Sequence, residues 1–244
     1  MNQADKFGMS YRLLNAPIFP YPYPHCYIEN VFNPECYEQL LKHFPSENLF
    51  SKLSVQTTNY PTERYNLPLT ADTLHEFTDK SRNIWIELTD WMNSRDFLLG
   101  LCEKFQIQIS QRLRREQGDQ YSNNYNIYPT TFMAMDKTRY SLGPHTDNSA
   151  KLVTLILYFA EDDSKKHLGT SIYIPKQRDL YLPGSPHRDE KDFDLVQTLE
   201  YKPNSALMFV VSGNSFHGVK IITEEKPKRQ LIQYQVMYGG AANR

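Results

Sequence analysis

The sequence has few cysteines, no long apolar run and almost no net charge, and each of these features removes a class of protein from consideration. Its 244 residues include three cysteines, which are Cys26, Cys36 and Cys102. Because the number is odd and no C-x-x-C pair occurs, neither a disulfide framework nor a zinc ribbon is expected. We therefore expect a reducing, cytoplasmic location.

Membranes and nucleic acids are not expected as partners either. The N-terminal stretch MNQADKFGMSYRLL lacks the apolar core of a signal peptide, and no run approaches the length of a membrane span. The chain has 27 Lys plus Arg and 28 Asp plus Glu, a formal net charge of −1. No overall electrostatic field therefore attracts a polyanion or an anionic membrane.

What the sequence does contain is a helical pattern followed by a strand pattern. From Thr70 to about Gln117, apolar residues recur at spacings of three and four, with a break near Ser94. From about residue 125 onward, short runs rich in β-branched and aromatic residues alternate with turn residues. This spacing is typical of an antiparallel sandwich or barrel.

The predicted fold is a single α+β domain, mainly β, over residues 1–244. Residues up to about 120 are expected to supply helices that pack outside a β-barrel formed by residues 125–238. Apolar residues make up 40% of the chain and aromatic residues 13%, which is enough for a packed core. The sequence shows no linker or internal repeat between the two parts.

A short polar segment stands directly before the most apolar predicted strand. In LGPHTDNSAKLVTLILYF, His145 and Asp147 precede the run that ends near Phe159. Two residues apart on extended chain, their side chains lie on one face and can both bind a metal ion. An H-x-D pair alone is weak evidence, because roughly 0.4 such pairs are expected by chance in a chain of this composition.

A third polar residue strengthens the metal interpretation. His217 follows the apolar strand Leu207–Val211 and a tight polar turn, so a buried sheet could bring it beside His145. Two histidines and one carboxylate form a facial triad with open coordination positions, which suits non-haem Fe(II) oxygenases. The alternative is a pair of unrelated histidines, each satisfied by backbone hydrogen bonds.

A second H-x-D pair, His187 and Asp189, lies in the charged loop YLPGSPHRDEKDFD and is interpreted as solvated surface. The surrounding segment, Gln177 to Gln197, contains Pro and Gly residues that interrupt regular structure. Long loops of this kind are often lids over active sites, so we predict a mobile lid, with a plain surface excursion as the alternative.

The last predicted strand, KRQLIQYQVMY, has one apolar and one polar face. Arg229, Leu231, Gln233 and Gln235 share the face that would point into the barrel. A buried arginine needs an anion, and no acidic residue nearby in sequence is available to Arg229. A small dicarboxylate would satisfy it. Alternatively, Arg229 ends the strand and reaches solvent.

Taken together, His145-x-Asp147, His217 and Arg229 resemble the 2-oxoglutarate and Fe(II)-dependent oxygenase superfamily, in its prolyl-hydroxylase-like branch. The resemblance covers about residues 125–238 and implies a double-stranded β-helix, that is, a jelly-roll or cupin-like barrel. It implies that the triad holds Fe(II) and that Arg229 binds the distal carboxylate of 2-oxoglutarate. Tyr158 would reach the same carboxylate or serve as a core aromatic.

The resemblance also implies that Gln233 lines the pocket and that Asp147, as a carboxylate ligand, disfavours halogenation. The expected reaction consumes 2-oxoglutarate and O₂ and hydroxylates a C–H bond of an amino acid, peptide or small metabolite, releasing succinate and CO₂. Segments beside the expected substrate site depart from the family pattern, so no relative's substrate is carried over. A cupin-like hydrolase or isomerase without a 2-oxo acid, and a non-catalytic interaction module, remain as alternatives.

Overall fold

The structure, a computed structural model, describes residues 1–54, 63–121 and 126–239 of the chain. None of the described helices is both long and apolar enough to cross a membrane. The α-helices in these ranges are α1 (Gln3–Asn15), α2 (Pro34–Lys42), α3 (Ala71–His75), α4 (Asp79–Met92), α5 (Arg95–Lys104) and α6 (Gln106–Gln117).

The strands of the described residues form two antiparallel sheets. A seven-stranded sheet has the order β1-β9-β6-β11-β4-β3-β2, and a four-stranded sheet has the order β5-β10-β7-β8. The strands are β1 (His25–Glu29), β2 (Ser51–Lys52), β3 (Arg64–Pro68), β4 (Ile127–Asp136), β5 (Leu142–His145), β6 (Lys151–Tyr158), β7 (Thr170–Pro175), β8 (Phe193–Leu199), β9 (Ser205–Val210), β10 (His217–Val219) and β11 (Arg229–Tyr238).

From β4 onward, the chain passes repeatedly between the two sheets. Strands β4, β6, β9 and β11 lie in the larger sheet, whereas β5, β7, β8 and β10 form the smaller one. Eight antiparallel strands exchanged in this way are consistent with a jelly roll. Within the described ranges, no strand pairing joins the two sheets, so closure into one barrel is not found.

The predicted helical region is present, and its predicted break lies at Ser94. Helices α3 to α6 cover the stretch from Ala71 to Gln117, and Ser94 separates α4 from α5. The Ser94 hydroxyl accepts a hydrogen bond from the Phe97 backbone N–H at 3.2 Å, which caps α5. The N-terminal part also contains β1, β2 and β3, which the sequence did not predict. These short strands extend the larger sheet at both of its edges.

Two apolar clusters follow from the alternation of side chains along the strands. On β11, Ile232 and Tyr234 belong to a cluster shared with the helices, whereas Leu231 belongs to a cluster shared by both sheets. The ring of Phe97 on α5 meets that of Tyr234 edge-on, with centroids 5.2 Å apart. The polar and apolar faces predicted for this strand therefore look in opposite directions.

Phe159, directly after β6, lies at the centre of the helix-side cluster and is fully buried. Its ring centroid lies 5.4 Å from that of Phe44, 5.8 Å from Tyr37 and 5.9 Å from Trp85. The cluster joins the end of β6 to helices α2 and α4, so it links the larger sheet to the N-terminal helices.

We expect Phe159→Ala to lower the free energy of unfolding by about 3–5 kcal/mol, because it leaves a cavity among packed rings. The matched control is Phe7→Ala, since Phe7 is 56% exposed, and its cost should stay below about 1 kcal/mol. Urea unfolding followed by circular dichroism measures both. Equal effects of the two substitutions would contradict the assigned core.

Candidate metal centre

Two neighbouring strands bring the predicted metal ligands together. His145 ends β5, His217 begins β10, and the two residues are direct partners in the antiparallel ladder. Asp147 follows two residues after His145. One potential ligand atom from each of the three residues lies within 4.8 Å of the others. The three predicted residues therefore converge, although His217 lies far from the pair in sequence.

Gly218 allows these two strands to approach closely. A Cβ atom at this position would lie 2.3 Å from the carbonyl oxygen of Leu142, closer than real Cβ atoms come. Only glycine therefore fits directly after His217, and the ligand's position depends on it.

Backbone carbonyls orient both imidazoles. Nδ1 of His145 lies 3.0 Å from the carbonyl oxygen of Gly143, and Nδ1 of His217 lies 2.9 Å from that of Ser215. A donated Nδ1–H leaves Nε2 with its lone pair available, as metal-binding histidines require. Burial lowers the pKa of both imidazoles, and the proximity of His217 lowers that of His145 further. Both rings are therefore held neutral.

Asp147 directs one carboxylate oxygen toward the two histidines. Its Oδ1 lies 3.9 Å from Nε2 of His145 and 4.0 Å from Nε2 of His217. Its Oδ2 accepts a hydrogen bond from Oγ1 of Thr154 at 2.6 Å. The Lys151 ammonium group lies 3.1 Å from Oδ1. Burial alone would raise the pKa of Asp147, but Lys151, both histidines and Thr154 outweigh it and lower that pKa.

This donor set fits a non-haem iron site. It offers two neutral imidazole nitrogens and one ionised carboxylate oxygen on one side, the combination of the 2-His-1-carboxylate facial triad. The hydrogen bonds at Nδ1 of the histidines and at Oδ2 of Asp147 fix the orientation of the ligands and leave Nε2 and Oδ1 for the metal.

A cavity of about 280 Å³ extends from the triad into the space between the sheets. The inward residues of β11, namely Arg229, Leu231, Gln233 and Gln235, all line it. This is the polar face predicted from the two-residue alternation of the strand. Of the two amides, Gln235 accepts a hydrogen bond from the Thr130 hydroxyl at 3.1 Å.

Arg229 is buried, lines the cavity and has an acidic partner. It is 1% exposed, which excludes a position at a solvated strand end. Its Nη1 pairs with Asp136, and its Nε donates to the carbonyl oxygen of Leu168 at 2.5 Å. This acidic partner was not predicted from the sequence, because only residues nearby in sequence were considered. Asp136 stands directly opposite on β4, although it is distant in sequence.

Arg64 is a site residue that the sequence did not predict. It lies on β3, and its Nε and Nη2 donate to the two oxygens of Asp136 at 2.6 and 2.8 Å. It also lines the cavity. No local pattern indicates this, because Arg64 reaches the site only through the pairing of β3 with β4.

Tyr158 contacts the arginine end through its ring, whose centroid lies 5.9 Å from Cζ of Arg229, and through Thr170. Its hydroxyl donates to Oγ1 of Thr170 at 2.7 Å, and Thr170 lines the cavity beside Arg229. Burial raises the pKa of Tyr158 to about 12, so the phenol stays protonated. Tyr158 does belong to the buried core cluster, which was one of its two predicted roles. The other role, a contact with the cosubstrate, remains a prediction.

His187 lies closer to the metal ligands than a solvated loop residue would. Its ring centroid is 5.1 Å from that of His145, and it is partly buried. The interpretation of this histidine as solvated surface was therefore wrong. The interpretation as solvated surface is right for Asp189, which is exposed and pairs with Lys191 at 2.9 Å. His187 is not among the residues whose ligand atoms converge with the triad.

The segment Gln177 to Gln197 is partly strand and partly an anchored loop. Its end forms β8, so that part of the predicted lid was wrong. Before β8, the Leu182 N–H donates to the carbonyl of Gly213 at 2.7 Å, and the Arg188 N–H donates to that of Pro144 at 2.9 Å. These bonds attach the loop to β5 beside His145 and to the turn that precedes β10, and its mobility remains a prediction.

No protein-family model matches the sequence, and no curated protein sequence matches it. Solved structures do resemble the fold. A 2OG-Fe(II) oxygenase family oxidoreductase from Burkholderia pseudomallei is 9% identical, with 97% of this chain and 91% of that chain covered and a TM-score of 0.45.

Two further solved structures resemble the chain with similar sequence identity, coverage and TM-score. A prolyl-4-hydroxylase from Pseudomonas putida is 9% identical, with 96% and 98% of the two chains covered and a TM-score of 0.48. The non-heme alpha-ketoglutarate-dependent epimerase SnoN from nogalamycin biosynthesis is 11% identical, with 97% and 82% covered and a TM-score of 0.49. Because these identities and TM-scores are low, only the side chains of this chain bear on its chemistry.

Removing a ligand should abolish metal binding without unfolding the protein. We expect His217→Ala and Asp147→Ala to lose tight Fe(II) or Mn²⁺ binding in anaerobic titration, because the two remaining donors bind the metal much more weakly than the complete triad. Asp189→Ala, from the other H-x-D pair, is the control and should bind metal normally. Unchanged affinity in His217→Ala would remove the triad assignment.

The lowered histidine pKa values also predict the pH range of metal binding. Protons compete with a metal for Nε2 only below the pKa of each imidazole, and both values lie under the ordinary 6.5. Mn²⁺ affinity should therefore stay nearly constant from pH 8 to 6.5 and weaken only at lower pH. A tenfold loss already at pH 6.5 would contradict this environment.

Proposed function

We propose that the protein is an Fe(II)- and 2-oxoglutarate-dependent oxygenase that hydroxylates a C–H bond of a small molecule or a peptidyl side chain. One observation carries the proposal. A single cavity has a His-Asp-His cluster at one end and two buried guanidinium groups at the other. The first end suits a metal ion and the second a carboxylate.

His145, Asp147 and His217 would hold the iron. Bound there, Fe(II) supplies the redox chemistry by which O₂ oxidises both 2-oxoglutarate and the substrate. The overall reaction is balanced: R–H, 2-oxoglutarate and O₂ yield R–OH, succinate and CO₂. Three ligands on one side leave coordination positions for the 2-oxo acid and for O₂.

The chain's own residues would bind and orient the cosubstrate. Arg229 offers a charge-assisted contact to its distal carboxylate, and Thr170, which bonds both Arg229 and Tyr158, holds that end in place. Apolar side chains such as Ile156, Leu231 and Val219 line the stretch between the two ends and exclude water from it. Gln233 and Gln235 would face the substrate side.

The fold agrees with this proposal. The larger and smaller sheets have the strand exchange of a jelly roll, which we interpret as a double-stranded β-helix of the prolyl-hydroxylase-like branch. The N-terminal helices would support its larger sheet. In a cupin-like hydrolase or isomerase with the same ligands, the buried arginines beyond the metal would have no role in substrate binding. A non-catalytic interaction module would not require the converging ligands.

We expect Arg229→Ala to weaken binding of 2-oxoglutarate to the Mn²⁺-loaded, oxygen-free protein. Loss of a buried charge-assisted contact should cost about 2–4 kcal/mol, or roughly 30- to 1000-fold in affinity. Arg229→Lys should recover part of this, because lysine keeps the charge but lacks the planar fork. Metal affinity should change little in either variant.

Arg178→Ala is the control, because Arg178 is exposed on the loop after β7. Its 2-oxoglutarate affinity should equal that of the wild type. If Arg229→Ala instead bound 2-oxoglutarate with wild-type affinity, this would contradict the cosubstrate assignment and favour a metal enzyme that uses no 2-oxo acid.

A further inference from the structure

Three charged residues lie in one row across three neighbouring strands. Arg64 on β3 is the register partner of Asp136 on β4, and Asp136 is the register partner of Arg229 on β11. Residues in one row of an antiparallel sheet present their side chains on the same face. The sheet itself therefore sets the order Arg–Asp–Arg, which does not depend on a flexible loop.

The row is buried and carries net positive charge. Exposure is 8% for Arg64, 0% for Asp136 and 1% for Arg229. Both guanidinium groups bond the same carboxylate, Arg64 through two hydrogen bonds and Arg229 through one. Two positive charges and one negative charge leave +1 on this group of three residues. A buried net charge is costly unless an anion balances it.

The positive side of the row faces the cavity. The described residues that line the cavity include Arg64 and Arg229 but not Asp136. Asn66, two residues beyond Arg64 on β3, also lines the cavity, and its buried Oδ1 has no hydrogen-bond partner. Strand β3 therefore contributes two polar side chains to a wall that the eight-strand core alone would not provide.

We propose that Arg64 is a second binding residue for the distal carboxylate of 2-oxoglutarate, so that a pair of arginines joined by Asp136 receives this group. The inference rests on the proposed function. Asp136 keeps the two guanidinium groups together against their mutual repulsion, and the remaining positive charge matches one carboxylate. A cosubstrate with a distal carboxylate is then bound more tightly than one without it.

A purely structural ion pair makes a different prediction. Pyruvate carries the same 2-oxo acid group as 2-oxoglutarate but lacks the distal carboxylate, so it reports the metal end of the site alone. If Arg64 only stabilises the sheet, its removal affects both compounds alike or neither. If Arg64 binds the distal carboxylate, only the affinity for 2-oxoglutarate falls.

The experiment measures the dissociation constants of 2-oxoglutarate and pyruvate for the full chain loaded with Mn²⁺ without oxygen, by calorimetry. In Arg64→Met we expect 2-oxoglutarate to bind at least about tenfold more weakly, with pyruvate and Mn²⁺ changed less than about threefold. Arg64→Lys keeps the charge and tests the role if Arg64→Met does not fold. The preference of Arg64→Lys for 2-oxoglutarate over pyruvate should lie between that of the wild type and that of Arg64→Met.

Lys52→Met is the matched control, because Lys52 is 48% exposed on the adjacent strand β2 and pairs with Glu63. It removes one positive charge from the same sheet without touching the cavity, and its constants should equal those of the wild type. An unchanged preference for 2-oxoglutarate in both Arg64 variants overturns this inference and leaves the proposed function standing. A wild-type protein that binds Mn²⁺ but not 2-oxoglutarate overturns both.

Discussion

The pairing of His145 with His217 across β5 and β10 is the constraint on which the rest of the site depends. It brings the two imidazoles together, with ring centroids 4.3 Å apart and ring planes tilted by 48°. Backbone carbonyls two residues before each histidine then fix which nitrogen points inward. Asp147 only has to add its carboxylate, which Thr154 and Lys151 hold ionised. The metal site is thus a property of the strand register more than of any single side chain.

The same sheets determine what lies at the far end of the cavity. Strand β11 enters the fold at Arg229 and continues past Leu231 and Gln233 toward the metal ligands, so one strand spans the cavity. Around this strand the charges are unevenly distributed, with cations at Arg64 and Arg229 and a carboxylate beside Lys151. An anionic ligand that also binds a metal would satisfy both ends, and 2-oxoglutarate has both of these features.

Local patterns predicted the features that depend on local chemistry. The two-residue alternation of β11, the break at Ser94 and the positions of the histidines beside strand ends follow from neighbours in sequence. Asp136 and Arg64 were missed because their roles arise only when distant strands pair, and 72 residues separate these two. His187 was misjudged for a similar reason. Its loop is charged and rich in turn residues, yet backbone hydrogen bonds attach it to β5 and to the turn before β10.

In the proposed function, this cavity couples a metal ion to a 2-oxo acid. The most direct measurement is succinate formation from 2-oxoglutarate by the Fe(II)-loaded protein in the presence of O₂, compared between wild type and Asp147→Ala. Succinate should accumulate with the wild type, faster when a substrate is present, and should fall to background in Asp147→Ala. A wild-type protein that binds Fe(II) yet forms no succinate above that background with any candidate substrate would contradict the account.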